Sequence, residues 1–331
     1  MAASFGSTGG SLVALDPSIA EFARDVRDGL RKTHKELPPK YFYDAVGSAL
    51  FDVITLLPEY GVTRAEERII RKYAREMEWR LASFTDVVEL GSGSGRKTLP
   101  ILEAIARRQP CLTYCAIDVS AAALASCRRQ LDGLSGVRIR SLQQSYVEGL
   151  RQFGRDRTAS SRVLVLFLGS SIGNFQPQET VVFLRQVREC LRPGDALLLG
   201  TDLIQSPGRL LAAYDDPSGV TAAFNLNVLA RIDRELDADF QLRNFRHEAR
   251  WSPAPARIEM HLVSRTSQVV TIAGAGCQIS FAEGETIWTE SSHKFDPAEM
   301  PRLAERTGFV SLAQWTDREW PFAENLWTAA G

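Results

Sequence analysis

Hydrophobic residues between positions 66 and 203 follow two alternating patterns. Short runs of consecutive apolar residues indicate buried strands, whereas apolar residues three or four positions apart indicate helices. The predicted strands cover residues 86–90, 112–118, 137–142, 162–170 and 195–203, and the predicted helices cover residues 66–79, 96–108, 121–134 and 177–191. This alternation predicts a doubly wound α/β fold, in which a parallel sheet carries helices on both faces.

The pattern changes after residue 203. A predicted helix at residues 219–236 is followed by strand-like segments without helices between them, which indicate an antiparallel meander. Those segments cover residues 240–251, 257–265, 268–273, 277–282 and 285–295. A helix and a strand pair then close the chain, at residues 297–308, 309–317 and 322–330.

The two patterns divide the chain into a core and an inserted α+β lobe. We expect residues 66–204 and 294–331 to form the core, and residues 19–65 and 205–293 to form the lobe. Residues 1–18 are rich in glycine and serine, which predicts a flexible lead-in.

Composition narrows the class of protein. The 331 residues are 44% hydrophobic and 24% charged, as in soluble globular proteins, and the formal net charge is -1. A nearly neutral chain has no general attraction to nucleic acid or to anionic lipid. No apolar run reaches membrane-spanning length, and the N-terminus lacks the pattern of a secretory signal. We therefore expect a cytoplasmic protein without nucleic-acid or membrane partners, and we expect it to be a monomer.

Cysteine and histidine residues do not suggest a metal centre. The five cysteines are an odd number, and Cys111 and Cys115 have no second ligand pair. The four histidines are scattered without a metal-binding spacing. We expect reduced thiols and no metal.

A glycine-rich loop, reading VVELGSGSGRKT, includes and follows the first predicted strand of the core. Phosphate-binding and dinucleotide-binding loops both require glycine at the position that Arg96 occupies, where a side chain obstructs the approach to phosphate. The loop does fit the pattern E-x-G-x-G-x-G, with Glu89 followed by Gly91, Gly93 and Gly95.

That pattern is similar to the cofactor loop of class I S-adenosylmethionine-dependent methyltransferases. The resemblance implies S-adenosylmethionine as the cofactor, with the backbone of Gly91 and Gly93 close to its methionine and ribose parts. Asp118 ends the next predicted strand, where a carboxylate can accept hydrogen bonds from both ribose hydroxyls. The implied fold is a Rossmann-like methyltransferase sheet with an inserted substrate-binding lobe.

The segment after the fourth strand argues against a nucleic-acid base as the methyl acceptor. Methyltransferases of base amino groups carry [DNS]-P-P-[YFW] there, whereas this chain has Gly173-Asn174-Phe175-Gln176-Pro177. No basic groove is evident either. We therefore expect a small-molecule acceptor that binds over the carboxyl ends of the strands.

Further motifs occur in order along nearly the whole chain: LPPKYFYDAVGSALFDVITLLPEYGVTRAE, ELGSGSGRKT, FLGSSIGNF, GTDL, AYDDPSGVTAAFNLNVL, RIEMHL and TESSHKF. Together they resemble the histidine-specific N-alpha-methyltransferases of ergothioneine biosynthesis. The resemblance implies that an amino-acid substrate, histidine, is converted to its trimethyl betaine, hercynine. It is specific because the motifs lie in both the core and the lobe.

The resemblance also implies roles for individual residues. Asn174 and Tyr214 would bind the substrate carboxylate, and Tyr43 would be the catalytic residue near the α-amine. The residues implied around the imidazole are Tyr60, Met260, Glu290 and Ser292. The residues implied in the cofactor site are Gly91, Gly93, Lys97, Asp118, Ser145 and Tyr146. A carboxylate and a hydroxyl suit an imidazole because each can pair with one ring nitrogen.

Two positions depart from the family pattern. The family often has P-E-Y-Y-P-T-R where this chain has P-E-Y-G-V-T-R, so we expect a reshaped loop at Gly61 and Val62. An acidic–aromatic pair commonly follows the third strand near the adenine, whereas this chain has Ser145 and Tyr146. Tyr146 can still pack on the adenine, and Ser145 or a backbone carbonyl can supply the hydrogen bond to its amine.

The expected reaction is an in-line attack by the unprotonated amine, without a covalent enzyme intermediate. Tyr43 would orient the amine or relay its proton through water. Two alternatives stay open: methylation of another amino acid such as tryptophan or tyrosine, and a noncatalytic protein that binds the same ligands.

Overall fold

The computed structural model describes residues 17–331, apart from residues 82 and 110. The lead-in predicted for residues 1–18 therefore lies, up to residue 16, outside the described residues.

Helices and strands alternate through the core and then give way to consecutive strands. The helices are α1 (Pro17–Leu30), α2 (Ala45–Ile54), α3 (Val62–Leu81), α4 (Leu99–Ala106), α5 (Ala121–Leu131), α6 (Tyr146–Asp156), α7 (Pro177–Glu189), α8 (Pro207–Tyr214), α9 (Val220–Leu236) and α10 (Met300–Arg306). The strands are β1 (Lys35–Glu36), β2 (Asp86–Leu90), β3 (Leu112–Asp118), β4 (Val137–Gln143), β5 (Val163–Phe167), β6 (Ala196–Asp202), β7 (Phe245–Ser252), β8 (Arg257–Ser264), β9 (Gln268–Ile272), β10 (Cys277–Phe281), β11 (Thr286–His293), β12 (Phe309–Asp317) and β13 (Phe322–Ala329).

The core is a seven-stranded sheet with the strand order β12-β13-β6-β5-β2-β3-β4. Strands β2 to β6 run parallel, and β13 joins β6 in the antiparallel direction. The strand order reverses between β2 and β5, and α/β proteins bind ligands at the carboxyl ends of strands at such a switch point. The predicted doubly wound α/β fold is confirmed.

Burial on both faces explains why the central strands are almost wholly apolar. All five residues of β5 are buried. Leu164 and Leu166 pack into one apolar cluster, whereas Val163, Val165 and Phe167 pack into another. Alternating side chains of one strand therefore supply two cores, as a central parallel strand requires.

The second sheet has the strand order β1-β11-β8-β7, and the predicted meander is wrong in its pairing. Strands β9 and β10 form a separate hairpin, while β11 returns to pair with β8. Phe281 of β10 packs against Phe240 and Phe245, with ring centroids 6.3 and 5.3 Å apart, which gives the hairpin its own apolar contacts. The alternating pattern identified each strand but not its partner, because pairing depends on contacts that are distant in sequence.

Helices α1, α2, α6 and α8 lie in segments for which the hydrophobic pattern predicted none. In α6 the buried apolar residues Leu150 and Phe153 are surrounded by mostly polar positions, so the periodic signal is short. Close packing against the sheet also positions this helix. A Cβ added at Gly149 would lie 2.5 Å from Ile117 Cγ2 of β3. Close packing that only a glycine permits therefore places α6 against the core.

Three observations on residues 17–331, leaving out 82 and 110, bear on possible partners and cofactors. None of the helices there has the length and apolar character needed to cross a bilayer. No three His, Cys, Asp or Glu side chains there form a group that could hold a metal ion. All five cysteines of the chain are free thiols.

The departure from the family pattern at Gly61 has a packing reason. The indole of Trp320 lies against this glycine, and an added Cβ would lie 2.1 Å from Trp320 Cε3. Trp320 is buried, and its Nε1 donates to Asp202 Oδ1 at 2.9 Å. Gly61 therefore provides the space for an indole that is tied to the end of β6.

Gly61→Ala should destabilise the protein by about 1–3 kcal/mol, because the indole has to move out of a packed position. Gly208→Ala is the matched control, since an added Cβ there meets no heavy atom within 4 Å and should change stability by less than about 1 kcal/mol. Urea unfolding of the two variants measures the difference. Equal midpoints would contradict this account of Gly61.

Candidate active site

The glycine loop lies at the carboxyl end of β2, beside the switch point of the core sheet. Gly91, Gly93 and Gly95 have φ values of 75°, 51° and 73°, in the left-handed region that favours glycine. An added Cβ at Gly95 would lie 2.7 Å from Cys127 Sγ, and one at Gly91 would lie 3.3 Å from Tyr146 Oη. A side chain at any of the three positions would strain the turn, and one at Gly91 would also fill the space beside Tyr146.

Glu89 anchors the buried side of the loop through hydrogen bonds. Its buried carboxyl accepts hydrogen bonds from Thr98 Oγ1, at 2.7 Å, and from the Tyr114 hydroxyl. Burial raises the pKa of Glu89 to about 7, although these two hydrogen bonds act against the rise. Glu89 therefore ties the two ends of the loop together and does not face a ligand.

Asp118 lies at the end of β3, beside the loop. Its Oδ2 accepts from Gly93 N at 3.2 Å, and its Oδ1 accepts from Ser120 N at 2.9 Å. Burial raises the pKa of Asp118, while those backbone N–H groups act against the rise. The carboxylate is thus held at the place where the ribose of S-adenosylmethionine is expected.

Tyr146 and Ser145 have different surroundings. Tyr146 lies beside Gly91 and packs edge-on against Phe167 and Phe183, with ring centroids 5.2 and 6.1 Å apart. Ser145 is exposed and precedes α6 without capping it through its side chain. The structure therefore places the aromatic ring beside the glycine loop and the serine at the surface.

Lys97 faces a buried carboxylate that the sequence reasoning missed. Lys97 Nζ lies 2.5 Å from Glu66 Oε2, and Glu66 Oε1 accepts from Gly169 N at 2.6 Å. Burial acts to lower the pKa of Lys97, but the Glu66 carboxylate outweighs this effect and the pKa is raised. Lys97 also lines a cavity of about 350 Å³ beside α3 and α4. Glu66 gave no signal in the sequence beyond its place on a predicted helix.

All of the residues predicted around the substrate line one cavity. They are Tyr43, Tyr60, Asn174, Tyr214, Met260, Glu290 and Ser292. Gly169 also lines this cavity, and an added Cβ on it would lie 2.9 Å from Lys97 Nζ. The cavity therefore adjoins the cofactor loop at the carboxyl end of β5.

Aromatic rings form one wall of the cavity. Tyr43 lies 5.7 Å from Phe51 and 5.8 Å from Phe224 between ring centroids, and Tyr60 lies 6.2 Å from Tyr214. Sequence reasoning did not select Phe51 or Phe224, although both lie within the family motifs. Such a wall can stabilise a ligand cation through the faces of its rings.

Tyr43 lines the cavity and is influenced by carboxyl groups on two sides. Burial raises the pKa of Tyr43 well above its ordinary value, and the carboxyls of Glu290 and Asp118 act in the same direction. One of these carboxyls lines the cavity and the other adjoins the glycine loop. Tyr43 therefore keeps its hydroxyl proton at neutral pH and well above it.

Strand β11 carries the carboxyl group of the cavity. Glu290 and Ser292 are two residues apart and share one face of the strand, and Met260 of β8 pairs directly with Glu290. Burial raises the pKa of Glu290 to about 7, although the Lys294 ammonium acts against the rise. Nothing in the described part of the chain donates a hydrogen bond to this carboxyl, so its oxygens are open to a ligand.

Lys294 is a second residue that sequence reasoning missed. Its buried Nζ donates to Asp202 Oδ2 at 2.7 Å, to Ser292 Oγ at 2.8 Å and to Tyr214 Oη at 3.1 Å. The signal was its position two residues after Ser292, which places both side chains on one face of an extended segment.

The sequence profile of a protein family described as "Histidine-specific methyltransferase, SAM-dependent" matches residues 22–329. The match includes the core sheet, the second sheet and every residue that lines the cavity, so it is not confined to the glycine loop.

Two mycobacterial proteins are similar to this chain over most of its length. Histidine N-alpha-methyltransferase of Mycolicibacterium smegmatis is 42% identical over 315 residues, which are 95% of this chain and 97% of that protein. Histidine N-alpha-methyltransferase of Mycobacterium tuberculosis is 44% identical over 305 residues, or 92% and 93% of the two chains. Ergothioneine biosynthesis protein 1 of Neurospora crassa is 28% identical over 85% of this chain, which corresponds to 32% of that longer protein.

Glu290→Gln should stabilise the ligand-free protein more at high pH than at low pH. Because the pKa of Glu290 is raised from 4.5 to about 7 in the folded state, the folded protein binds more protons than the unfolded chain in this range. Stability from this group is therefore lost as the pH rises through about 7, and glutamine cannot lose a proton. We expect the gain in unfolding free energy to be about 1–2 kcal/mol larger at pH 8 than at pH 5.

Chemical denaturation at the two pH values measures this difference. Glu283→Gln, which changes an exposed glutamate, is the control and should give the same result at both. A gain for Glu290→Gln that does not depend on pH would contradict the assignment.

Proposed function

Because this chain belongs to the family of S-adenosylmethionine-dependent, histidine-specific methyltransferases, we propose that it methylates the α-amino group of L-histidine to give hercynine. The observation that carries this function is the family match over both sheets. It is supported by a cavity that has a carboxyl and a hydroxyl on one strand and adjoins the cofactor loop.

The cofactor site suits S-adenosylmethionine. A side chain at Gly91 would fill the space beside Tyr146, and the Asp118 carboxylate would accept hydrogen bonds from the two ribose hydroxyls. Tyr146 would pack against the adenine, with Ser145 at the edge of the ring. The Lys97 ammonium would face the carboxylate of the methionine part. When bound, S-adenosylmethionine supplies a methyl group activated by a sulfonium.

The substrate cavity would hold histidine by its two polar ends. Asn174 and Tyr214 would bind the carboxylate, and Glu290, Ser292 and Tyr60 would bind the imidazole, with Met260 packed against it. A site that pairs with the polar atoms of its substrate rejects analogues that lack them, because its own buried groups would be left unsatisfied. An indole leaves one of these groups without a partner.

Tyr43 would act on the α-amine as a hydrogen-bond partner. The amine must be unprotonated before it attacks, and the raised pKa of Tyr43 makes its phenolate inaccessible at neutral pH. Tyr43 would therefore orient the amine lone pair or pass a proton to water, and it would not act as an anionic base. As methyl groups accumulate, the nitrogen becomes a fixed cation that Phe51 and Phe224 can stabilise.

Substrate binding and cofactor binding would belong to different parts of the chain. We propose that residues 19–65 and 205–293 form the substrate-binding lobe and that residues 66–204 and 294–331 form the cofactor-binding domain. Residues of a single chain build both sites, which supports a monomer. Five free thiols are typical of a reducing compartment, which supports a cytoplasmic location.

Mass spectrometry of the product from L-histidine and S-adenosylmethionine tests the function. We expect three equal mass increments, each from one methyl group, and a final product that matches hercynine. Tryptophan and tyrosine, offered in parallel, should have kcat/KM values lower by on the order of 10⁴-fold.

Two outcomes would contradict the assignment. Preferential methylation of tryptophan would overturn the imidazole pocket. Calorimetry that showed tight binding of histidine and cofactor, together with no product, would support a noncatalytic protein instead.

A further inference from the structure

Lys294 lies behind the residues that line the substrate cavity. Its side chain is fully buried, and its three hydrogen bonds go to Asp202, Ser292 and Tyr214. An ammonium has three N–H donors and no acceptor, so these bonds use all of its hydrogens. Both hydroxyl oxygens, those of Ser292 and Tyr214, are therefore acceptors toward Lys294.

The two hydroxyl groups also bond to each other, with Tyr214 Oη and Ser292 Oγ 2.7 Å apart. Only one of their two protons can lie in that bond. Across the described residues, neither hydroxyl has a further acceptor within hydrogen-bond distance. Because both residues line the cavity, the remaining proton points into it.

Two arrangements of the Tyr214 and Ser292 hydroxyl protons are consistent with these hydrogen bonds. Either Ser292 donates to Tyr214 and Tyr214 donates into the cavity, or the two roles are reversed. A phenol is a stronger donor than an aliphatic hydroxyl, and a carboxylate is the strongest acceptor on an amino acid. The first arrangement, in which Tyr214 donates to the substrate carboxylate, is therefore favoured.

We propose that Lys294 is a positioning residue that makes Ser292 a hydrogen-bond acceptor toward the substrate, so that the site selects a ring with an N–H at that place. In the favoured arrangement, Ser292 gives its proton to Tyr214 and one lone pair to Lys294, which leaves one lone pair for the ring. Glu290 then pairs with the other ring nitrogen. This inference rests on the proposed function. It adds that Ser292 accepts a hydrogen bond from the ring and does not donate one.

A comparison of histidine with β-(4-thiazolyl)-alanine tests the effect of the ring N–H separately from that of ring size. The five-membered thiazole ring has a size close to that of imidazole but carries no N–H. The wild-type protein should prefer histidine by on the order of 100-fold or more in kcat/KM, because the Ser292 lone pair would be left without a donor.

The double variant Asp202→Asn/Lys294→Met removes both buried charges, so that neither is left uncompensated. Ser292 is then free to turn its proton toward the ring. We expect the preference for histidine over the thiazole to fall by about tenfold or more, which corresponds to the loss of one hydrogen bond. The KM for histidine should rise by about tenfold with a smaller change in kcat. Cofactor affinity, measured by calorimetry, should not change.

The pair Lys35→Met/Glu285→Gln is the matched control. It removes another largely buried ion pair at the second sheet, away from the cavity lining. It should lower stability without changing the preference between the two substrates. A merely structural role for Lys294 would give the same result as this control.

Tyr214→Phe is a second test in case the double variant does not fold. Without the phenol oxygen, the Ser292 proton loses its acceptor and turns to the ring, so the preference should fall again. An unchanged preference in either folded variant would overturn the proposal. Failure of the wild-type protein to methylate histidine would instead contradict the proposed function, and the binding ratio of the two amino acids, measured by calorimetry, would still test Lys294.

Discussion

The buried ion pair between Asp202 and Lys294 joins the core sheet to the second sheet beside the cavity. Asp202 ends β6 and Lys294 follows β11, and the backbone joins the same segments because Phe295 N donates to Asp202 O at 2.9 Å. Asp202 N donates to Ser170 Oγ, and Trp320 Nε1 donates to the Asp202 carboxylate. Four segments of the chain therefore meet at one aspartate.

This ion pair contributes more to the geometry of the cavity than to the stability of the folded protein. Taking two charges out of water costs several kcal/mol per ion, which their attraction and hydrogen bonds roughly offset. What the pair fixes is the position of Ser292 and Tyr214 at the base of the cavity. Among the described residues none donates a hydrogen bond to Glu290, and burial raises the pKa of Glu290 to about 7. A ring with two nitrogens could pair with both Glu290 and Ser292, which is the recognition that the proposed function requires.

The sequence was informative where local pattern decides structure. The apolar run of β5 and the glycines of the cofactor loop report burial on two faces and positive φ, and both are local properties. The substrate residues that the family motifs indicated all line one cavity. The pairing of β11 with β8, by contrast, depends on contacts between segments that are far apart in the chain. For the same reason Glu66 and Lys294 were not selected from the sequence, because their charged partners lie on other elements.

The most direct measurement is a crystal structure of the protein with histidine and S-adenosylhomocysteine bound together. We expect one ring nitrogen to lie within hydrogen-bond distance of Glu290 and the other within that distance of Ser292. We also expect the α-amine to lie beside Tyr43 and to face the sulfur atom. A ring bound away from β11, or a histidine bound in reverse with its amine against Glu290, would contradict the account.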